Sequence, residues 1–258
     1  LTIPVLQITW SRYFFTVIIV LPVILIFFRK NFKWTEKPKL QLIRGLLLFC
    51  ANILFFYSIS VISLAKALTL AFIAPLVVTI LSPIMLNEKV GLRRWIAVLT
   101  GFIGSLIVLR PGFVEVNLAS VAALGTGFLY GIYLIVTRKL HNSDHPLLTL
   151  LLTGVVGALI GSILVPTVWV QPTLNEWYMM FAIGFFASIG HLFLILSLMY
   201  ADASKLAPFG YFEIVTNIII GFYFFNHLPD TWTFLGLSII VMSGIYIFRR
   251  ETLNKSDL

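Results

Sequence analysis

The sequence predicts an all-α integral membrane protein, a polytopic helix bundle of two inverted five-helix repeats. Ten helices are expected in full, with the first missing and nine present. Three observations predict this. Hydrophobic residues make up 60% of the 258 and charged residues 11%, against about 45–50% and about 25% in a soluble domain. No solvated shell covers so much apolar side chain. The apolar residues also run in stretches near 20 residues without strand alternation, the length a helix needs to cross roughly 30 Å of hydrocarbon. Finally, Lys and Arg are confined to short clusters between those stretches. The same composition excludes disorder, and Cys50 has no second cysteine to pair with.

The spans follow in order. Residues 5–28 are apolar except around Arg12 and contain Pro22. Residues 41–63 carry Asn52 near the middle. Residues 65–86 open with Lys66, contain Pro75 and are closed by Asn87. Residues 94–110 end at Arg110. Residues 117–137 carry Thr126, Tyr130, Tyr133 and Thr137. Residues 147–170 include Gly157 and Gly161. Residues 177–200 hold His191. Residues 205–226 open with Lys205, contain Pro208, Glu213 and Asn217, and close with Asn226. Residues 231–248 end before Arg249 and Arg250. The loops hold the turn formers, and none is long enough to be a soluble domain. The three prolines should bend or break their helices, with Pro75 the expected hinge.

Orientation follows from Lys and Arg alone. If the loop with Arg29, Lys30, Lys33, Lys37 and Lys39 is cytoplasmic, 15 of the 18 basic residues fall on that side. Lys66 and Arg110 fall on the other, and Arg12 is left inside a span. The C-terminus is then cytoplasmic and Leu1 external. An external start without Met is expected to follow one missing helix, which would put both ends in the cytoplasm. The net charge of +8 thus reads as membrane orientation in a bacterial inner membrane. Its clusters do not form a nucleic-acid face.

A shift of 139 positions lays the first half on the second. Asn52 falls on His191, Ser58 on Ser197, Lys66 on Lys205, Phe72 on Tyr211, Asn87 on Asn226 and Arg110 on Arg249. The shift crosses five helices, so the copies run in opposite directions. The loop after Asn87 is basic, whereas the loop after Asn226 holds His227 and Asp230 and no Lys or Arg. The expected division is 1–112 for the first repeat, helices 2–5, and 113–258 for the second, helices 6–10. Inverted repeats mark secondary transporters, whose substrate site lies near the midplane.

Residues 56–112 resemble the EamA-type carriers of the drug/metabolite transporter superfamily, through Pro75, Leu86, Glu88, Arg94, Trp95, Gly101, Gly104, Arg110, Pro111 and Gly112. The second half follows the layout more loosely, so the resemblance covers nearly the whole chain. It implies a ten-helix bundle of two inverted repeats. It also implies transport of amino acids, S-adenosylmethionine, riboflavin, sugars or other metabolites. The second copy of the helix-ending Glu88 is His227, a departure from the pattern.

The candidate substrate-binding residues are Arg12, Asn52, Tyr130, His191, Glu213 and Asn217, with Glu213 also a candidate for proton coupling. Glu213 is expected about eight residues inside its helix, roughly 12 Å from the end, where a bare carboxylate is costly. Phe209 and Asn217 extend its face. The other reading is a carboxyl bonded to a neighbouring helix. Arg12 shares a face with Thr9 and Thr16 and either faces the interior or snorkels to the headgroups. Asn52 and His191 occupy equivalent positions and either approach a cavity axis or tie helices together. Thr126, Tyr130, Tyr133 and Thr137 form a stripe beside Gly127 and Gly131. That stripe lines a path for a planar substrate or packs against a neighbour. Lys66 and Lys205 read as interfacial anchors or as attractors of anionic substrate. His191 has no ligand partner at metal spacing. The chain shows no P-loop, catalytic triad or paired catalytic carboxylates, and no cofactor is called for. The expected function is alternating-access transport of a small amphipathic metabolite, such as an amino acid or an S-adenosylmethionine-like or other heteroaromatic compound. The alternative is a polytopic membrane enzyme acting on a lipid or lipid-linked substrate.

Overall fold

The computed structural model describes residues 3–28, 33–62, 64–109, 117–225 and 230–256. Among the described residues the nine expected spans are helical over most of their length, and no strand occurs. The elements are α1 (Val5–Val23), α2 (Pro38–Val61), α3 (Leu64–Ala71), α4 (Ala74–Leu86), α5 (Leu92–Leu109), α6 (Leu118–Lys139), α7 (Pro146–Leu164), α8 (Leu174–Tyr200), α9 (Ala203–Leu206), α10 (Phe212–Phe225) and α11 (Thr231–Ser256). Six stretches among the described residues are long and apolar enough to cross a bilayer: Val5–Phe27, Pro38–Val61, Ala67–Leu86, Leu118–Lys139, Pro146–Val168 and Leu174–Tyr200. Large apolar side chains such as Ile84, Ile163 and Phe186 stand exposed on these helices. Leaving each in water would forfeit roughly 1.5–3 kcal/mol of burial, so these faces belong against lipid. The protein is a multi-pass membrane protein.

Proline explains where the helices depart from regular geometry. Pro22 lies inside α1, which passes into a π-helical turn over Ile24–Phe28. Pro75 stands in the first turn of α4. Its missing N–H leaves the Ala71 carbonyl without a helical donor, and the expected 65–86 helix divides into α3 and α4. The expected 205–226 helix divides too. A 3₁₀ turn over Ala207–Tyr211, which contains Pro208, separates α9 from α10. The two divided helices are repeat equivalents. Asn87 ends α4 in the left-handed region, with φ 56°, a conformation that Asn tolerates better than most residues.

The chain forms two compact units, residues 1–57 with 136–200 and residues 58–135 with 201–258. Each draws helices from both halves of the sequence. In the first unit α1 packs on α7, its equivalent under the 139-residue shift. Gly154 lies against Thr16 and Val17, Gly157 against Tyr13, and Gly161 against Trp10. Residue numbers fall along α1 as they rise along α7, so the equivalents run antiparallel. The second unit repeats the arrangement with α5 and α11. The Ser243 hydroxyl donates to the Ala97 carbonyl at 2.8 Å, and Gly104 abuts the Gly236 carbonyl. These helices are antiparallel as well, as an inverted repeat requires.

Small residues make these approaches possible. A Cβ at Gly157 would lie 2.3 Å from the Tyr13 ring, and one at Gly127 would lie 2.4 Å from the Ala71 carbonyl oxygen. Gly127 and Gly131 therefore seat α6 against α3 and α4 in the second unit, the packing role expected for them. Apolar contacts fill in around these seams. One cluster joins Ile8, Trp10, Val165 and Met180, another Val20, Leu150, Leu151 and Ile195, and a third Phe72, Tyr211, Ile214 and Ile240.

Candidate functional site

In the first unit three of the expected site residues meet. Arg12 projects from the second turn of α1, held there by the tight α1–α7 seam and by Gly184 of α8, which sits against the Phe15 side chain. Its Nη1 donates to Asn52 Oδ1 on α2, and its Nη2 lies on His191 Nε2 on α8. Asn52 and His191 are the equivalent positions of the two repeats, so one residue from each grips a tip of the same guanidinium. Arg12 itself falls on Leu151 under the shift, and the cation has no counterpart in the second repeat.

Donor counting settles the roles of the partners. A guanidinium carries only donors. His191 must therefore accept through Nε2, which places its proton on Nδ1 in the neutral ring. The Asn52 amide donates through Nδ2 to the Tyr13 hydroxyl at 2.6 Å and to the Leu48 carbonyl at 2.8 Å, leaving Oδ1 for Arg12. The guanidinium carbon lies 5.6 Å from the centre of the Tyr13 ring, within cation–π range. Among the described residues, every side chain on the Arg12 guanidinium is uncharged. A cation this far along an apolar helix keeps its charge only at a cost. These partners orient it without neutralising it.

Thr9 and Thr16 share the Arg12 face but do not serve the guanidinium. Thr9 bonds back to the Val5 carbonyl at 2.9 Å, and Thr16 to the Arg12 carbonyl at 2.9 Å while accepting from Ser188 at 2.9 Å. The sequence reading missed Tyr13. It stands next to Arg12 in the chain but about 100° round the helix, and no polar periodicity marks it. Its nearness to Gly157 is a tertiary fact.

Arg44, one of the 15 basic residues that the sequence assigns to the cytoplasmic side, is fully buried in the second turn of α2. Its Nε donates to Thr137 at 2.8 Å, and its Nη1 to the Thr149 carbonyl at 3.0 Å and to Thr153. Gln41, one turn earlier, donates to Asp144 at 2.7 Å and to Thr149 at 3.1 Å. This network ties α2 to α6 and α7. Thr137, expected on the α6 stripe, serves it.

The other site candidates belong to the second unit. Tyr130 stacks on the buried Tyr133, with ring centres 5.6 Å apart and planes at 17°. Glu213 corrects the sequence reading. Because the helix divides at Pro208, Glu213 stands in the first turn of α10 and is exposed. It does not lie eight residues into a continuous helix. A carboxylate there faces the positive end of the helix dipole. Phe209 lies in the 3₁₀ turn and stacks on Phe212, so the expected Phe209–Glu213 face is interrupted. The Asn217 side chain lies outside the described residues, as do the Lys66 side chain and His227.

Glu88 has a definite task in the second unit. Its carboxylate accepts the Ala203 N–H at 2.8 Å, the Ser204 N–H at 2.9 Å and the Ser204 hydroxyl at 2.7 Å. It thereby caps the start of the divided helix. Arg94 donates to the Ser204 hydroxyl at 3.0 Å, and Lys205 pairs with Asp202 at 3.0 Å.

Comparison with known proteins agrees with this architecture. The model of the EamA-like transporter family matches residues 1–110 and again residues 117–249. An S-adenosylmethionine uptake transporter of Rickettsia bellii is 28% identical over 95% of this chain and 84% of its own length. A riboflavin transporter of Vibrio cholerae is 31% identical over 72% of this chain and 63% of its own. A pseudopaline exporter of Pseudomonas aeruginosa is 26% identical over 81% and 75%. A solved crystal structure superposes with a TM-score of 0.76 at 18% identity, covering 94% of this chain and 88% of that one, which shows a shared fold.

Proposed function

This chain belongs to the EamA-like transporter family, and we propose that the small metabolite it carries is bound through a carboxylate on Arg12. It is a secondary transporter, and the enzyme reading is not favoured. One observation carries the proposal: a guanidinium within an apolar helix, oriented by Asn52 and His191 and left positive by them. A guanidinium matches a carboxylate with two parallel hydrogen bonds. S-adenosylmethionine, named for several relatives, has a carboxylate and a heteroaromatic ring and belongs to the amphipathic class expected. Asn52 and His191 complete the proposed substrate contacts around Arg12 in the first unit; Tyr130, stacked on Tyr133 in the second unit, is proposed separately as a substrate-contacting residue.

Glu213 is proposed as the proton-coupling residue of the second unit and as a substrate-binding residue there, and Asn217, four residues on in the sequence, as a further substrate-binding residue. Supporting this, the Glu213 carboxylate stands exposed in the first turn of α10 and makes no hydrogen bond or ion pair with a described residue. Both assignments are tested in one vesicle assay. Purified protein should take up S-adenosylmethionine and be far less active towards its methyl ester. Glu213→Gln should lose the dependence of uptake on a pH gradient while remaining folded. Equal uptake of acid and ester would sink the carboxylate assignment, and normal pH dependence in the Gln variant would sink the coupling role.

The repeat boundary near residues 112–113 is supported by the double family match. Placement in a bacterial inner membrane with a cytoplasmic C-terminus is supported by the segregation of Lys and Arg. A cysteine at Thr173 should then react with an impermeant thiol reagent outside intact cells, and one at Lys33 should not. The reverse labelling would overturn that orientation.

A further inference from the structure

We propose that Tyr13 is a positioning residue of the carboxylate site, acting on Arg12 through the Asn52 amide. The inference rests on the assignment of Arg12 as the carboxylate anchor. An amide can present either its oxygen or its nitrogen to a neighbour, and only the oxygen can receive a guanidinium. The Asn52 nitrogen has two hydrogens. The Leu48 carbonyl of the same helix takes one at 2.8 Å, and the Tyr13 hydroxyl takes the other at 2.6 Å. With both committed, Oδ1 faces Arg12. The Leu48 bond alone holds one corner of the amide. The Tyr13 bond holds the second and sets its plane.

The hydroxyl can do this because its ring is itself held on several sides. Tyr13 is buried, and its ring rests where a side chain at Gly157 would otherwise stand. The Phe49 ring of α2 lies 5.7 Å away. The Arg12 guanidinium lies 5.6 Å from the ring centre. Tyr13 therefore meets the anchor twice, through its face and through the amide that its hydroxyl fixes. The Phe49 ring of α2 and the bare backbone of α7 at Gly157 hold it in that position. Polar groups that are themselves locked by packing keep a binding group within the narrow geometry that bidentate recognition needs.

The variant that separates positioning from simple packing is Tyr13→Phe, which keeps the ring, its seat on Gly157 and its face under Arg12. Binding of S-adenosylmethionine and of its methyl ester is measured on wild type and variant, together with the ligand-free melting temperature. Loss of one neutral hydrogen bond should lower the preference for acid over ester about three- to tenfold. Affinity for the ester and the melting temperature should stay close to wild type. An unchanged preference overturns the inference. So does an equal loss for acid and ester, or a variant that fails to fold, because each would make Tyr13 a packing residue only. If the wild-type protein itself shows no preference, the assignment of Arg12 fails and this inference fails with it. If the wild type discriminates and Tyr13→Phe discriminates equally, only the role of Tyr13 is lost.

Discussion

Arg12→Gln is expected to abolish transport of carboxylate substrates without unfolding the protein. Gln retains hydrogen-bonding atoms towards Asn52 and His191 but carries no charge. Removing one member of a desolvated, hydrogen-bonded charge pair costs roughly 2–5 kcal/mol of binding, a loss of about 30-fold to more than 1,000-fold. Arg12→Lys should recover only part of this, since an ammonium keeps the charge without the planar fork. Stability should move little, because the neutral partners found on the guanidinium leave its charge uncompensated. Uptake by reconstituted vesicles and the melting temperature of the purified variant check both halves. Near-normal uptake, or unfolding without loss of binding in the folded fraction, would make Arg12 a tie between α1, α2 and α8. Asn52→Asp gives an independent reading. A carboxylate one hydrogen bond from Arg12 should occupy the cation internally and compete with substrate.

The second large effect is on folding. Gly157→Ala should lower the melting temperature by several degrees, and Gly157→Leu should prevent accumulation of folded protein. A Cβ at Gly157 falls 2.3 Å from Tyr13 Cγ, so α1 and α7 must separate or Tyr13 must leave its place. Overpacking of this kind costs typically about 1–3 kcal/mol, and more for larger side chains. Gly190 on α8 is the control, because a Cβ there would meet nothing within 4 Å. In Gly190→Ala the helix preference of Ala over Gly, up to about 1 kcal/mol, should leave stability unchanged or raised. Equal responses at the two positions would show that the α1–α7 seam is not held at Gly157. Because the Tyr13 ring sits in that seam, any folded Gly157→Ala protein should also lose acid-over-ester preference.

Sequence alone determined the class of this protein, and the reason is solvent. Apolar runs of bilayer length must be helical, because hydrocarbon offers no partner for unpaired backbone groups. The nine helical stretches, the disruptions at Pro22, Pro75 and Pro208, and the antiparallel sense of the two copies were all legible in spacing and charge. The pairing of Asn52 with His191 as equivalents was legible as well, since a repeat is a property of the chain. Tertiary structure decided what those positions do. Arg44 and Arg12 each stand within an apolar span in the sequence. Packing closes Arg44 among threonines and brings Arg12 to Asn52 and His191. Glu213 looked mid-helical because spacing counts residues and does not register a 3₁₀ turn, so its place at a helix start emerged only from the fold. Tyr13 carried no pattern at all. Its role depends on the missing side chain of Gly157 and on one amide hydrogen of Asn52, from helices 39 and more residues away in the chain, and such contacts are written only in three dimensions.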